Sequence, residues 1–128
     1  MTLDSSALIA ILFAEPGYLS LVDRILEADH VRVGAPTLVE TCLVLAGRRR
    51  KATAGEVEGL IAELAITVVP FGEAEWRAAT DAFLSFGRGR HAAALNFGDC
   101  LAYAAAKLAE APLLCAGQDF PKTDLEIA

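Results

Sequence analysis

The sequence predicts an α/β fold: one mostly parallel sheet with helices on both faces. Two observations carry this. Short apolar, β-branched runs such as "VRVGA" (31–35) and "AITVVPF" (65–71) alternate with longer stretches of helical period, and that alternation is the mark of strand–helix–strand crossovers. The apolar content, 55%, is large but only 7% is aromatic, a balance of Ala, Leu, Val and Ile that suits helices packed on a buried sheet. The 128 residues form a single domain, 1–128, by length.

The elements follow in order. Residues 1–3 form a very short strand that turns at Asp4 into the apolar helix "SSALIAILFA", which "EPG" at 15–17 breaks. Leu19, Val22, Ile25 and Leu26 recur with helical spacing. "VRVGA" alternates as a strand does. Pro36 then opens a helix at its favoured first position, through about Arg49. A further helix spans 54–64, with Val57, Leu60, Ile61 and Leu64 along one face. "AITVVPF" is a second clear strand, and "EAEWRAATDAFLSFG" is a helix stopped by Gly87, with Trp76, Phe83 and Phe86 spaced to face the core. "RGRHAAALNF" is a loop, 98–109 a helix and "PLLCAG" a buried strand. The tail "TDLEIA" offers a last edge strand, about five in all. No repeat, linker or low-complexity tract interrupts the chain.

"ALIAILFA" (7–14) is apolar but too short to span a bilayer, and the first charge is Asp4 rather than the positive residue of a secretion signal. A cytoplasmic protein with no membrane partner is expected. Cys42, Cys100 and Cys115 are odd in number, widely spaced and set among apolar residues, the pattern of buried free thiols. The net charge of −6 argues against holding nucleic acid by bulk electrostatics. Two runs break that average: "RRRK" (Arg48, Arg49, Arg50, Lys51) and "RGR" (Arg88, Arg90). Either is a solvated, dipole-compatible end of an element or a contact for a phosphate backbone.

Parallel topology places four carboxylates together. In such a sheet ligands bind beyond the carboxyl ends of the strands. Asp4 follows the first strand, Glu40 lies in the first turn after "VRVGA", and Asp119 follows "PLLCAG". The helix over 98–109 must start at that same end to feed the last strand from below. The loop before it, residues 87–97, can climb back, since eleven extended residues reach roughly 36 Å and a twelve-residue helix is about 18 Å long. Asp99 therefore joins the other three. Clustered carboxylates repel and raise one another's pKa. A hard divalent cation such as Mg²⁺ or Mn²⁺ neutralises them, and a cation so held activates water against a phosphodiester.

Each acid also has a plainer reading. Asp4 fits a helix N-cap, Glu40 a capping box with Thr37 in "TLVE", Asp99 a favourable charge at a helix N-terminus, and Asp119 a turn aspartate. Singly these suffice; they do not explain four acids at one edge. His30 and His91 are single and read as surface or loop residues.

"LDSSALIAIL", "TLVET" (37–41), "GRGRHAAALNFGDCLAYA" (87–104) and "LLCAGQDFPKTDL" (113–125) together resemble PIN-domain ribonucleases, and more closely the VapC toxins of bacterial VapBC toxin–antitoxin modules. The resemblance covers nearly the whole chain. It implies a PIN-like α/β/α sandwich of about five mostly parallel strands and a Mg²⁺- or Mn²⁺-dependent endoribonuclease. It assigns Asp4 and Asp99 as principal metal ligands, with Glu40 and Asp119 ligating directly or through water. Ser6 matches a hydroxyl that supports the first aspartate, and Asn96 the asparagine that braces the loop before Asp99. Gln118 stands where many relatives carry Asn. The resemblance further implies an RNA substrate, a VapB-type antitoxin over the acidic groove and a homodimer, for which the apolar faces of 8–28 and 54–64 are available. A catalytically inactive PIN-like binding module is the alternative, against which the full acidic quartet speaks. A phospho-acceptor domain fits less well, because "DSS" lacks the second aspartate of a D-x-D phosphatase motif.

Overall fold

A computed structural model describes residues 1–49 and 54–128. Four short strands, β1 (Thr2–Leu3), β2 (Arg32–Gly34), β3 (Thr67–Val69) and β4 (Leu113–Leu114), form one sheet in the order β3-β2-β1-β4. Every pairing is parallel, with Leu3 opposite both Val33 and Leu114. The expected fifth strand is a single parallel bridge from Ile127 to Leu113, closed by hydrogen bonds from the Leu113 amide to the Glu126 carbonyl (2.9 Å) and from the Ala128 amide to the Leu113 carbonyl (3.0 Å).

Strand alternation divides the core in two. Leu3, Val33 and Leu114 share one register row and one face. They pack with Ala7 and Leu8 of α1 (Ser5–Leu12), Ile25 of α2 (Tyr18–Glu27) and the Leu60 and Ile61 side chains of α4 (Ala54–Glu63). Leu113 faces the other way, into a cluster with Ala79 and Ala82 of α5 (Glu73–Phe86) and Cys100, Ala102 and Tyr103 of α6 (Phe97–Leu108). Both faces are covered, as a parallel sheet requires. The helix α3 (Ala35–Arg49) packs on both α1 and α6. It therefore joins the two layers where their helices begin.

Several expectations change. Trp76 and Phe83 lie outside the core, 50% and 41% exposed; α5 turns its small alanines inward instead, because α6 approaches it closely. β3 forms as expected and is a largely exposed edge. The apolar surplus expected on 8–28 and 54–64 is partly there and partly elsewhere. Ala7, Leu8, Ile9 and Ala10 are buried and Leu19 and Leu26 of α2 are exposed, but Val39, Leu43, Trp76, Phe83 and Phe97 are exposed as well, on α3, α5 and α6. No disulfide joins the three cysteines, as expected, but only Cys100 is buried. No helix of the described residues is long and apolar enough to cross a membrane.

Candidate active site

Asp4 ends β1 and caps α1. Its Oδ2 accepts from the Ser6 amide (3.0 Å) and from the Ser6 hydroxyl (2.5 Å). The same hydroxyl accepts from the Ala116 amide at 3.0 Å, so Ser6 ties the end of β1 to the loop leaving β4. Asp4 is only 3% exposed. Burial raises its pKa, and the Ser6 and Ser5 hydrogen bonds partly offset the rise.

Asp99 lies in the first turn of α6, in a reciprocal capping box with Asn96. The Asp99 amide donates to Asn96 Oδ1 (3.0 Å), and the Asn96 amide donates to Asp99 Oδ2 (2.8 Å). This fixes the carboxylate and uses one of its oxygens. Burial raises the Asp99 pKa; the charges of Asp4 and Asp119 add to the rise, while the Asn96 amide and the nearby Arg88 guanidinium oppose it.

Glu40 departs from its capping-box reading. α3 begins at Ala35, because β2 runs directly into it, so Glu40 falls in the second turn and Thr37 is not the cap. The Thr37 hydroxyl is buried without a partner. Glu40 instead reaches across to α1 and α6. Burial raises its pKa, a Ser5 hydrogen bond lowers it, and Asp4 and Asp99 raise it again. Its carboxylate lies directly over the Cα of Gly98, where a β-carbon would sit 2.7 Å from Glu40 Cδ.

Asp119 sits farther out. It is followed by the single 3₁₀ turn η1 (Phe120–Lys122), and its Oδ1 lies 3.6 Å from Lys122 Nζ. It still acts on Asp99 through charge, and together with Asp4 and Asp99 it raises the pKa of the Cys115 thiol, which burial raises most. The structure thus draws Asp4, Glu40 and Asp99 into one mutually repelling set, with Asp119 at its rim. Among the described residues no three carboxylate, His or Cys side chains close into a preformed metal cage. A hard cation needs less: Mg²⁺ is typically held by one or two carboxylates, several waters and substrate phosphate. Oxygen-only donors whose charges oppose one another suit that ion. Both Ser6 contacts of Asp4 are to Oδ2 and the Asn96 contact of Asp99 is to its Oδ2, so each keeps its Oδ1 clear of these bonds.

The basic residues divide. Arg48 pairs with Glu15 (2.9 Å) and lies over the Phe13 ring. Arg49 pairs with Glu56, donates to the Leu12 carbonyl (2.8 Å) and also lies over Phe13. Both bind α3 to the end of α1. Arg50 and Lys51 lie outside the described residues. Arg90 lies over Phe83, and Arg88 is the basic residue that acts on the carboxylate set. His91 is a loop residue as expected; its Nδ1 accepts from the Ala93 amide (3.1 Å) and its ring meets the Phe86 edge.

Sequence reasoning missed Ser5 and Gly98. The signal for Gly98 is visible afterwards: a glycine beside an acid in the first turn of a helix, where it weakens the helix, asks for a packing reason.

A parallel sheet carrying acids at the carboxyl ends of its strands, on this topology, defines the chain as a PIN domain: the PIN domain family model matches residues 1–126, and the chain belongs to that family. Within it the chain is one of the VapC group. It is 45% identical over 128 residues to a VapC ribonuclease of Mycobacterium bovis and equally to Ribonuclease VapC36 of Mycobacterium tuberculosis, covering 98% of this chain and 91% of each relative. Ribonuclease VapC28 of Mycobacterium tuberculosis is 40% identical over 129 residues, covering 100% of this chain and 97% of that one. The fold is also that of the sarcin–ricin loop cleaving toxin VapC20 of Mycobacterium tuberculosis, with TM-score 0.79 at 14% identity over 99% of this chain and 97% of the other. A toxin–antitoxin complex from Klebsiella pneumoniae matches with TM-score 0.75 at 12% identity, covering 99% and 95%.

Proposed function

We propose that the chain is the toxin of a VapBC module, a Mg²⁺- or Mn²⁺-dependent endoribonuclease that acts in the cytoplasm and is held inactive by a VapB-type antitoxin. One observation carries the reading: Asp4, Glu40 and Asp99 come from three separate helices, yet the buried Asp4 raises the pKa of both others and Asp99 that of Glu40. Such a set is unfavourable to the apo fold and useful when a cation and a phosphodiester share it. The ribonuclease names of relatives at 45% identity support the reaction class.

Asp4 and Asp99 would hold the cation, with Glu40 and Asp119 ligating directly or through water. The bound cation supplies an activated water and stabilises charge developing on the phosphate. The chain's own part is positioning. Ser6 fixes Asp4, the Asn96 box fixes Asp99, and Glu40 or Asp119 accepts a proton from the attacking water. Arg88, whose charge reaches Asp99, would meet the RNA backbone beside the carboxylates; Arg90, Arg50 and Lys51 would add to that contact. The exposed apolar face of α3, α5 and α6, with Phe97 80% exposed at its centre, would be covered in a homodimer.

The test is cleavage of a mixed RNA pool by antitoxin-free protein with Mn²⁺, beside an EDTA lane and a D99N lane. Discrete cuts in the first lane alone are expected. A folded protein that neither cuts RNA nor binds Mn²⁺ overturns the reading in favour of a binding module.

A further inference from the structure

Glu40 is the one carboxylate of the set with no backbone amide holding it. Asp4 has the Ser6 amide and Asp99 has that of Asn96. A glutamate also has one more rotatable bond than an aspartate, so something must stop its carboxylate from swinging into solvent. Two features of the structure do so. α3 packs against α1 and α6, and Glu40 projects where the first turns of those helices meet. From α1, the buried Ser5 lies beside the carboxylate, and its hydroxyl holds the Glu40 pKa down against burial. From α6, Gly98 presents a bare Cα. A β-carbon there would stand 2.5 Å from Glu40 Oε2 and 2.7 Å from Cδ, far inside van der Waals contact.

Nothing in the backbone requires that glycine. Gly98 lies in the first turn of a regular helix and is not among the residues of positive φ. Alanine would suit the local conformation better by about 0.5–1 kcal/mol in a helix interior. The missing side chain is therefore explained by what occupies its place.

We propose that Gly98 and Ser5 are positioning residues that together seat the Glu40 carboxylate against Asp4 and Asp99. This rests on the metal-site reading above. Without the seat, Glu40 keeps its charge but leaves the cluster; the cation then loses a ligand or the water loses its acceptor. Side chains that orient metal ligands typically change affinity or activity by 10–100-fold when altered.

The experiment compares Gly98→Ala, Ser5→Ala, Glu40→Gln and the Gly98→Ala/Glu40→Gln double variant. Mn²⁺ affinity is measured by calorimetry, RNA cleavage by rate, and melting temperature in EDTA. Gly98→Ala is expected to melt at or above the wild-type temperature while losing at least tenfold in Mn²⁺ affinity or cleavage. Ser5→Ala, which adds no bulk, is expected to lose three- to tenfold. The double variant should match Glu40→Gln alone, because a displaced carboxylate and an absent one are equivalent. Wild-type Mn²⁺ affinity and cleavage in Gly98→Ala, or full additivity in the double variant, overturns the seat and leaves the metal site standing. If the wild-type protein neither binds Mn²⁺ nor cleaves, the metal site falls and the seat with it.

Discussion

Replacing Ser6 by alanine removes one oxygen that makes two bonds on opposite sides of the sheet end. The hydroxyl donates to Asp4 Oδ2 at 2.5 Å and accepts from the Ala116 amide at 3.0 Å. A hydrogen bond to a charged partner is worth about 1.5–3 kcal/mol. The Ala116 amide is exposed, so water replaces its partner and the further loss is about 0.5 kcal/mol. The expected cost is about 2–3 kcal/mol, or about 10 °C in melting temperature for a chain of this size. The cost depends on pH with a definite sign. Burial raises the Asp4 pKa and Ser6 holds it down, so the alanine variant has the higher value. A carboxyl with a raised folded pKa contributes most below its unfolded value and loses that contribution as pH rises through the folded one. The gap between variant and wild type must therefore widen as pH rises through the ionisation of Asp4, and narrow in acid. Urea unfolding in EDTA at several pH values measures it. A loss below about 0.5 kcal/mol that does not change with pH would refute the bracket.

Three further outcomes are expected. Asp99→Asn removes a charge from a repelling set while keeping an oxygen for the Asn96 amide. In EDTA it should be more stable than wild type by about 0.5–1 kcal/mol, and it should lose the Mn²⁺-induced stabilisation, which is about 2.7 kcal/mol for the wild type at a hundredfold excess over Kd and is read as a rise in melting temperature. A less stable apo variant would contradict the repulsion. Asp124 accepts from the Tyr103 hydroxyl (2.6 Å) and from Lys107 Nζ (2.7 Å), bonds that lower its pKa. Its side chain is half exposed, so screening reduces the loss in Asp124→Asn to about 1 kcal/mol. That difference should be present above pH about 4 and vanish as pH falls through the lowered folded value, read by denaturation at pH 3 and pH 7. Phe97→Glu puts a charge on the exposed apolar face of α3, α5 and α6; light scattering should show dimers becoming monomers, and a persistent dimer would place the contact elsewhere.

The sheet, the helix order and the convergence of the acids were legible because each follows from local pattern plus one topological rule. Parallel strands fix where helices start, and acids in the first two turns of those helices are brought to one edge. What was not legible depends on which faces meet. Trp76 and Phe83 have core spacing, but α5 rotates to present Ala79 and Ala82 to α6. The ends of α4, α5 and α6 fall within a residue of the sequence expectation, but the backbone conformation that closes several helices was hidden. α1, α4 and α6 are followed by left-handed Ala14, Ala65 and Glu110, where a glycine would ordinarily announce the stop. The fold imposes that conformation, at roughly 1 kcal/mol each, and no residue type betrays it.

The acids themselves show why single-residue readings fall short. Cap and proposed ligand are not rival roles for Asp4 and Asp99. An N-cap holds one carboxylate oxygen against backbone amides, which removes the rotamer freedom a metal ligand must not have, and leaves the second oxygen for the ion. Helix starts gathered at one sheet edge therefore deliver carboxylates already oriented. Glu40 lacks such a cap, and there the chain uses a hydroxyl and an absent methyl from its neighbours instead. The cost falls on the apo state, whose three coupled carboxylates all have raised pKa values. On the proposed reading, stability given up at the site before a cation arrives would be regained when one binds, and oxygen-only donors of like charge would favour a small, hard, doubly charged ion.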